Sequence, residues 1–135
     1  MDITKAMEVS AAGMKAQSSR IKVIAENLAN ADSTAEAPGD LPYRRKVVTF
    51  KNELDRQAGV NKVRVAAVGV DRSDFTRKYD PGSPVADQDG YVMMPNVNSL
   101  VETMDLQEAQ RSYDANLSVI DAAKTMLSRT VELLR

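Results

Sequence analysis

Neither cysteine nor histidine occurs among the 135 residues. Without cysteine the chain forms no disulfide, no thiolate nucleophile and no cysteine metal site, though this names no compartment. Without histidine it has lost the usual general base, the commonest metal ligand and the side chain that changes charge near neutral pH. An excess of either charge is also missing. The net charge is −1, so no general electrostatic field draws the protein to nucleic acid or anionic lipid. Residues 65–70 are the longest unbroken run of apolar residues and glycine, far short of a membrane span. The opening Met1-Asp2-Ile3-Thr4-Lys5 has no basic segment followed by an apolar one. No ordinary secretory signal is therefore expected, and export would need another route.

The strongest pattern present is in the last third. Leu106, Tyr113, Ile120, Leu127 and Leu134 recur every seven residues, and a second line, Gln110, Leu117, Lys124 and Val131, runs four positions behind. That is the layout of a coiled-coil seam, narrower than the apolar face of a helix in a globular core. Ser99 followed by Glu102 fits a capping box, and Glu102, Asp105 and Glu108 place negative charge near the positive end of a helix dipole. No Pro or Gly interrupts residues 99–135, which predicts one long helix. A seam this narrow needs a partner, from the same chain or from neighbours.

The first third repeats the period more thinly. Asp2 is a plausible N-cap, and Met7, Met14, Ile21 and Leu28 fall seven apart, with Ile3, Ser10, Gln17, Ile24 and Ala31 as companions. Ser10-Ala11-Ala12-Gly13 makes one turn very small-sided. Two readings stand side by side: tolerated composition, or a place where another helix comes close. The segment NLANADST (27–34) should end the helix, because Asn, Asp, Ser and Thr compete for backbone hydrogen bonds.

Between these helices the character changes. Val47, Val48 and Phe50 in PYRRKVVTF (42–50), and Val63 and Val65 alternating with Lys62 and Arg64, read as short strands. Tyr43, Phe50, Phe75, Tyr79 and Tyr91 are five of the six aromatics, which suggests a small local core. The stretch 79–98 carries three prolines and two glycines and reads as an extended, turn-rich arm. The fold class is mainly α with a small β-rich insert, the two terminal helices forming a coiled-coil pair or bundle. Three segments follow: a helix over 1–32, the insert over 33–98, and a helix over 99–135 that pairs with the first.

Chemical motifs are weak. Ser19 and Lys22 have the spacing used by serine acyl-enzymes, but no pocket-forming partners accompany them, and a solvent-facing helix pair is the better reading. Asp87, Asp89 and Gly90 resemble part of a calcium loop whose first and last positions would be Val85 and Asn96, so a polar turn is expected. Arg44-Arg45-Lys46 lacks interleaved aromatics and reads as the exposed face of a strand rather than a nucleic-acid site. Asn116-Leu117-Ser118 matches a glycosylation sequon, but Leu117 belongs to the seam. No catalytic residue, metal site or cofactor is expected, and the two ends look built to assemble.

NLANADST after an N-terminal heptad helix resembles the signature of the bacterial flagellar axial proteins. PYRRKVVTF, YDPGSPVADQDGYVMMPNVN (79–98) and RSYDANLSVIDAAKTML (111–127) resemble more closely the FlgC family of proximal-rod subunits, nearly end to end. Ser83 and the stretches 35–40 and 54–61 depart from the family pattern. The resemblance implies a structural subunit of the flagellar basal body, located in its periplasmic rod. Such subunits leave by the flagellar type III channel without a cleaved signal peptide, and their terminal helices pack into a helical tube that surrounds the channel and transmits torque. It implies as partners the other proximal-rod subunits, the rod–ring adaptor, the distal rod and copies of itself, without nucleic acid or direct membrane insertion. The residues expected to form the assembly seam are Met7, Met14, Ile21, Ile24 and Leu28 with Leu106, Tyr113, Leu117, Ile120, Leu127, Val131 and Leu134. Asn27 and Asn30 are expected to shape the turn after the first helix.

The seam reading predicts that Ile120→Asp abolishes assembly. The lost knob costs roughly 2–5 kcal/mol, and a desolvated carboxylate adds to it or is forced to protonate. Asp121, about 100° round the helix, should tolerate replacement by Ala. Basal-body yield in cells carrying each variant is the readout, and normal rods with Ile120→Asp would refute the seam.

Overall fold

The computed structural model describes residues 2–135, and Met1, with which the first predicted segment begins, lies outside them. The elements run α1 (Ile3–Ala29), β1 (Lys46–Asp55), β2 (Val60–Val70), β3 (Thr76–Tyr79), β4 (Tyr91–Met94) and α2 (Ser99–Leu133). Two long helices thus flank a small β insert, as the periodicities predicted. The insert is two separate pairs, β1 with β2 and β3 with β4.

The helix ends follow from side chains that answer unpaired backbone groups. Asp2 caps α1: its carboxylate accepts from the Thr4 N–H at 3.2 Å, as the sequence suggested. At the other end the Asn30 side chain donates back to Glu26 O at 2.7 Å and the Ser33 hydroxyl donates to Asn30 O at 2.8 Å. These bonds draw the backbone out of the helix just past Ala29. The start of α2 corrects the expected capping box. Asn98, not Ser99, is the cap, accepting the N–H groups of Leu100 and Val101 at 3.1 and 3.3 Å. Ser99 lies inside the helix, and the Glu102 carboxylate is engaged elsewhere, as described below.

The chain divides into two compact units. The first takes in the chain up to Ile21, with Val48–Ala67 and Gln107–Arg135. Within it the helices approach closely. A Cβ added to Gly13 would lie 2.9 Å from the Asn116 side-chain nitrogen, and Arg20 reaches Glu108 at 3.7 Å. Residue numbers that rise on one helix while falling on the other make the pair antiparallel. The buried residues of this unit are small: Ser10, Ala16, Ala109 and Ala123. The glycine and serine in the small-sided turn therefore do serve close approach. Four residues join β1 to β2, a connection short enough only for an antiparallel hairpin. Its turn is tied by Asp55, which accepts from the Gln57 and Ala58 N–H groups, while Gly59 takes φ of +64°. Lys62 then staples the hairpin to α1, contacting Asp55 at 2.7 Å and Glu8 at 2.8 Å. The Lys62 ammonium and the two backbone donors hold the Asp55 carboxyl below the usual range.

The second unit comprises Lys22–Val47 and Val68–Leu106. Here the predicted extended arm is more ordered than expected: β4 lies antiparallel to β3, pairing Tyr91 with Tyr79 and Met94 with Thr76. The loop between them closes on Asp87, whose carboxylate accepts from the Asp89 and Tyr91 N–H groups and meets Arg77 at 2.6 Å. That explains Asp87 and Asp89 as turn residues. Arg77 also lies 4.8 Å over the Tyr91 ring, which meets Tyr79 edge-on at 5.2 Å. Val23, Ile24, Ala31, Pro42, Val92 and Pro95 form the buried apolar part.

Gly90 sits at φ +84°, and a Cβ there would meet Tyr79 at 3.0 Å and Pro81 at 3.1 Å. Gly39 has φ +88° with open space around it. Gly39→Ala should therefore cost only the left-handed backbone penalty, roughly 1–2 kcal/mol, and Gly90→Ala distinctly more. Denaturant melts of the two variants compare them directly. Equal losses would show that Tyr79 and Pro81 yield without resistance.

Candidate functional site

In the second unit part of the interior is polar. Asn27 is 1% exposed and Glu102 0%. Asn27 projects from the last turns of α1, and its amide is saturated. Its nitrogen donates to Lys46 O at 2.9 Å and to a Glu102 carboxylate oxygen at 3.3 Å. Its oxygen accepts the Lys46 N–H at 2.9 Å and the Tyr43 hydroxyl at 2.8 Å. Two donors and two acceptors are the whole capacity of an asparagine amide. Aspartate would supply no donor and would set a second negative charge beside Glu102.

Glu102, on the first turn of α2, is met by Arg45 through the guanidinium Nε. Arg45 also approaches Asp71 at 3.5 Å and Asp105 at 3.8 Å. Burial works against the guanidinium charge, but the bond to Glu102 and the charges of Glu102, Asp71 and Asp105 prevail and raise its pKa. Asn96 repeats the device of Asn27. Its oxygen accepts the Arg45 N–H at 2.8 Å, and its nitrogen donates to Asp71 O and to Ser73. Arg44 lies 4.3 Å over the Phe75 ring and donates to the Asp71 and Ser73 carbonyls. Lys46 pairs with Glu26 at 3.0 Å. The basic triplet 44–46 is thus not a strand's bare face, as its composition suggested. Its members clamp the end of α1, the loop before β3 and the start of α2 together. Tyr43 and Asn96 belong to the same clamp, and no local pattern marked them.

The fully buried Glu102 is paired with Arg45, and among the described residues no group of three or more Asp or Glu could hold a metal ion. Ser19 donates to Lys15 O within its own helix. Asn30 shapes the turn at the end of α1, as given above, whereas Asn27 reaches away from that turn into the clamp.

The predicted seam residues divide. Ile24 is buried, and Met7, Met14, Ile21, Leu28, Leu106, Tyr113 and Ile120 are half-buried. Leu117 (41%), Leu127 (40%), Val131 (59%) and Leu134 (82%) are exposed. The second covered line on α2 is not Gln110, Leu117, Lys124 and Val131 but Glu102, Ala109, Asn116 and Ala123, of which Asn116 is half-buried. Alanine at these points lets a neighbouring backbone approach, which a search for large apolar residues overlooks. Within the first unit the covered face of α2 (Ala109, Tyr113, Ile120, Ala123) points, at 100° per residue, the same way as Leu127, Val131 and Leu134. Yet every residue from Lys124 to the last is exposed. The register set by Gly13 and Asn116 explains this: Ile3, ten residues back, stands opposite Met126. The last seven residues of α2 therefore run about 10 Å past the start of α1, carrying an apolar face that is exposed among the described residues.

Comparison with known proteins adds the family. Residues 7–36 match the family described as flagella basal body rod protein, and residues 88–133 match the flagellar basal body rod FlgEFG protein C-terminal family. The chain is 50% identical to the flagellar basal-body rod protein FlgC of Agrobacterium fabrum, covering 98% of this chain and 96% of that protein. It is 38% identical to FlgC of Salmonella typhimurium, with 98% of each covered. With FlgC of Bacillus subtilis it shares 37%, covering 94% of this chain and 95% of that one.

The clamp predicts unequal costs for adjacent basic residues. Arg45→Ala leaves Glu102 buried without its cation and should destabilise by about 3–5 kcal/mol. Lys46→Ala removes a pair whose side chains are 42% and 38% exposed while keeping the backbone bonds to Asn27, and should cost under about 1 kcal/mol. Chemical denaturation of both variants checks the order, and a reversed order would mean that Glu102 does not depend on Arg45.

Proposed function

The chain belongs to the FlgC family of flagellar basal-body rod proteins, and from that premise we propose how this structural, non-enzymatic subunit enters the rod. Its terminal helices pair as a coiled-coil core and pack side by side with those of neighbouring subunits into a tube. The neighbours are other proximal-rod subunits, the rod–ring adaptor, the distal rod and further copies of itself. The tube surrounds the export channel in the periplasm, and the subunit reaches it by type III export without a cleaved signal. Among the described residues no helix is long and apolar enough to cross a membrane.

The observation that carries this reading is the uncovered end of α2. Leu127, Val131 and Leu134 continue a face that the same helix buries further back, so burying them needs another chain. Leu117, at the edge of that face, joins the same seam, as do the half-buried Met7, Met14, Ile21, Leu28, Leu106, Tyr113 and Ile120 and the buried Ile24. Torque passes along such a tube because shear between close-packed helices must break their packing. The clamp around Asn27 and Glu102 serves this role by fixing where α2 starts relative to the end of α1.

Val131→Asp tests the proposal. The residue is 59% exposed, so the purified subunit should melt within about 0.5 kcal/mol of the parent. Export should continue, while basal bodies and swimming are lost. Normal rods in such cells would rule out the end of α2 as an assembly face, and a large loss of subunit stability would show that the face is already covered within the chain.

A further inference from the structure

The second unit contains a cavity of about 430 Å³ between the loop over 35–40 and β4. Ala35, Pro38, Val85, Ala86 and Met93 give it apolar walls. β3 and β4 form a sheet of only two strands, so each has an outer edge, and the register decides which backbone groups point there. The Asp80 N–H donates to Gly90 O at 2.9 Å, and hydrogen-bonded and non-hydrogen-bonded positions alternate along an antiparallel pair. Tyr91 lies opposite Tyr79 and Met93 opposite Arg77, so the N–H and C=O of Tyr91 and Met93 point away from β3. At Tyr91 the chain answers them itself: the Asp87 N–H donates to Tyr91 O at 2.8 Å, and the Asp87 carboxylate accepts the Tyr91 N–H at 2.9 Å. At Met93, two residues on, neither group has a hydrogen-bond partner among the described residues. Asp87 and Met93 both line the cavity, which therefore borders this edge.

We propose that this cavity is a docking site for an extended, basic segment of a partner protein, which adds to the outer edge of β4 as a third strand. The site is separate from the end of α2 and does not depend on how that end is used. Three features select the occupant. An unanswered N–H and C=O on one strand residue are met together by extended backbone, whereas a helix has spent its own backbone groups. The apolar walls suit alternate apolar side chains of such a segment. The charge of the lining selects a cation: Arg77 is taken by Asp87 at 2.6 Å, which leaves the exposed Asp40 with no ion-pair partner among the described residues. Phosphate groups of a nucleic acid or lipid would meet that carboxylate as a like charge. Asp87 already fills the place of a neighbouring strand at Tyr91, so the incoming segment needs only to continue the ladder at Met93.

Two end-blocked peptides, Val-Lys-Val-Lys-Val and Val-Glu-Val-Glu-Val, are titrated into the full-length chain and followed by the backbone amide signals in NMR. The proposal expects the lysine peptide to bind at least about tenfold tighter than the glutamate one, with the largest shifts at Met93 and across 35–40. Because the Met93 N–H takes no part in the ladder with β3, Met93→Pro removes the outward donor while leaving the hairpin's own bonds. It should weaken the lysine peptide at least about tenfold, whereas Met93→Val, which keeps the donor, should not. Asp40→Lys changes an exposed side chain and should reverse the preference between the peptides; it serves even if proline disturbs the hairpin. Equal binding of both peptides, binding of neither, or shifts confined to residues outside the cavity would overturn the proposal. A Met93 amide that already exchanges slowly with solvent in the free chain would overturn it too, since the edge would then be covered.

Discussion

A carboxylate with none of its surface in water must be answered by its surroundings, and much of this chain is arranged to answer Glu102. Arg45 supplies the opposite charge, and Asn27 supplies a hydrogen bond while spending its remaining valences on Tyr43 and the Lys46 backbone. Replacing such a cluster with apolar residues of equal shape is often neutral or stabilising, so it is a poor device for stability alone. Its value here is geometric. Each partner comes from a different part of the chain, and all the bonds form together only when α1, the strand after it and the first turn of α2 take one arrangement.

Positional accuracy of that kind suits a subunit proposed to assemble through the end of α2. The buried residues of the first unit are alanine and serine, so the helices lie close but little large apolar surface is hidden there. The larger side chains of the seam, Leu127, Val131 and Leu134, are left in water. In an isolated protein that would be an odd distribution, and the proposed assembly face accounts for it. Lys62 fixes the hairpin to α1 with two carboxylates.

Much of this was legible in the sequence. Both helices are long and periodic, and Asp2 is a cap that needs nothing beyond its own first turn. Val47, Val48, Phe50, Val63 and Val65 announce strands by local composition. What escaped was set by partners distant along the chain. Arg45 and Glu102 are 57 residues apart, and Asn27 and Glu102 are 75 apart, so neither pairing leaves a local mark. The basic triplet therefore read as a solvated strand face. Glu102 read as a capping residue because its spacing from Ser99 is right, although Asn98 takes that role. The second covered line of α2 escaped because heptad reading favours large residues, and Ala109 and Ala123 are covered precisely by being small. The β3–β4 pair was hidden by the prolines and glycines of the loop inside it.

The central claim is that the clamp is complete in the free subunit while the end of α2 is buried only by assembly. Amide hydrogen exchange, followed by mass spectrometry on the purified subunit and on isolated basal bodies, tests it most directly. The account predicts slow exchange around Asn27, Arg45 and Glu102 in both samples, and exchange across residues 124–133 that is fast in the free subunit and strongly slowed in the rod. Exchange at 124–133 that stays fast in intact basal bodies would contradict it.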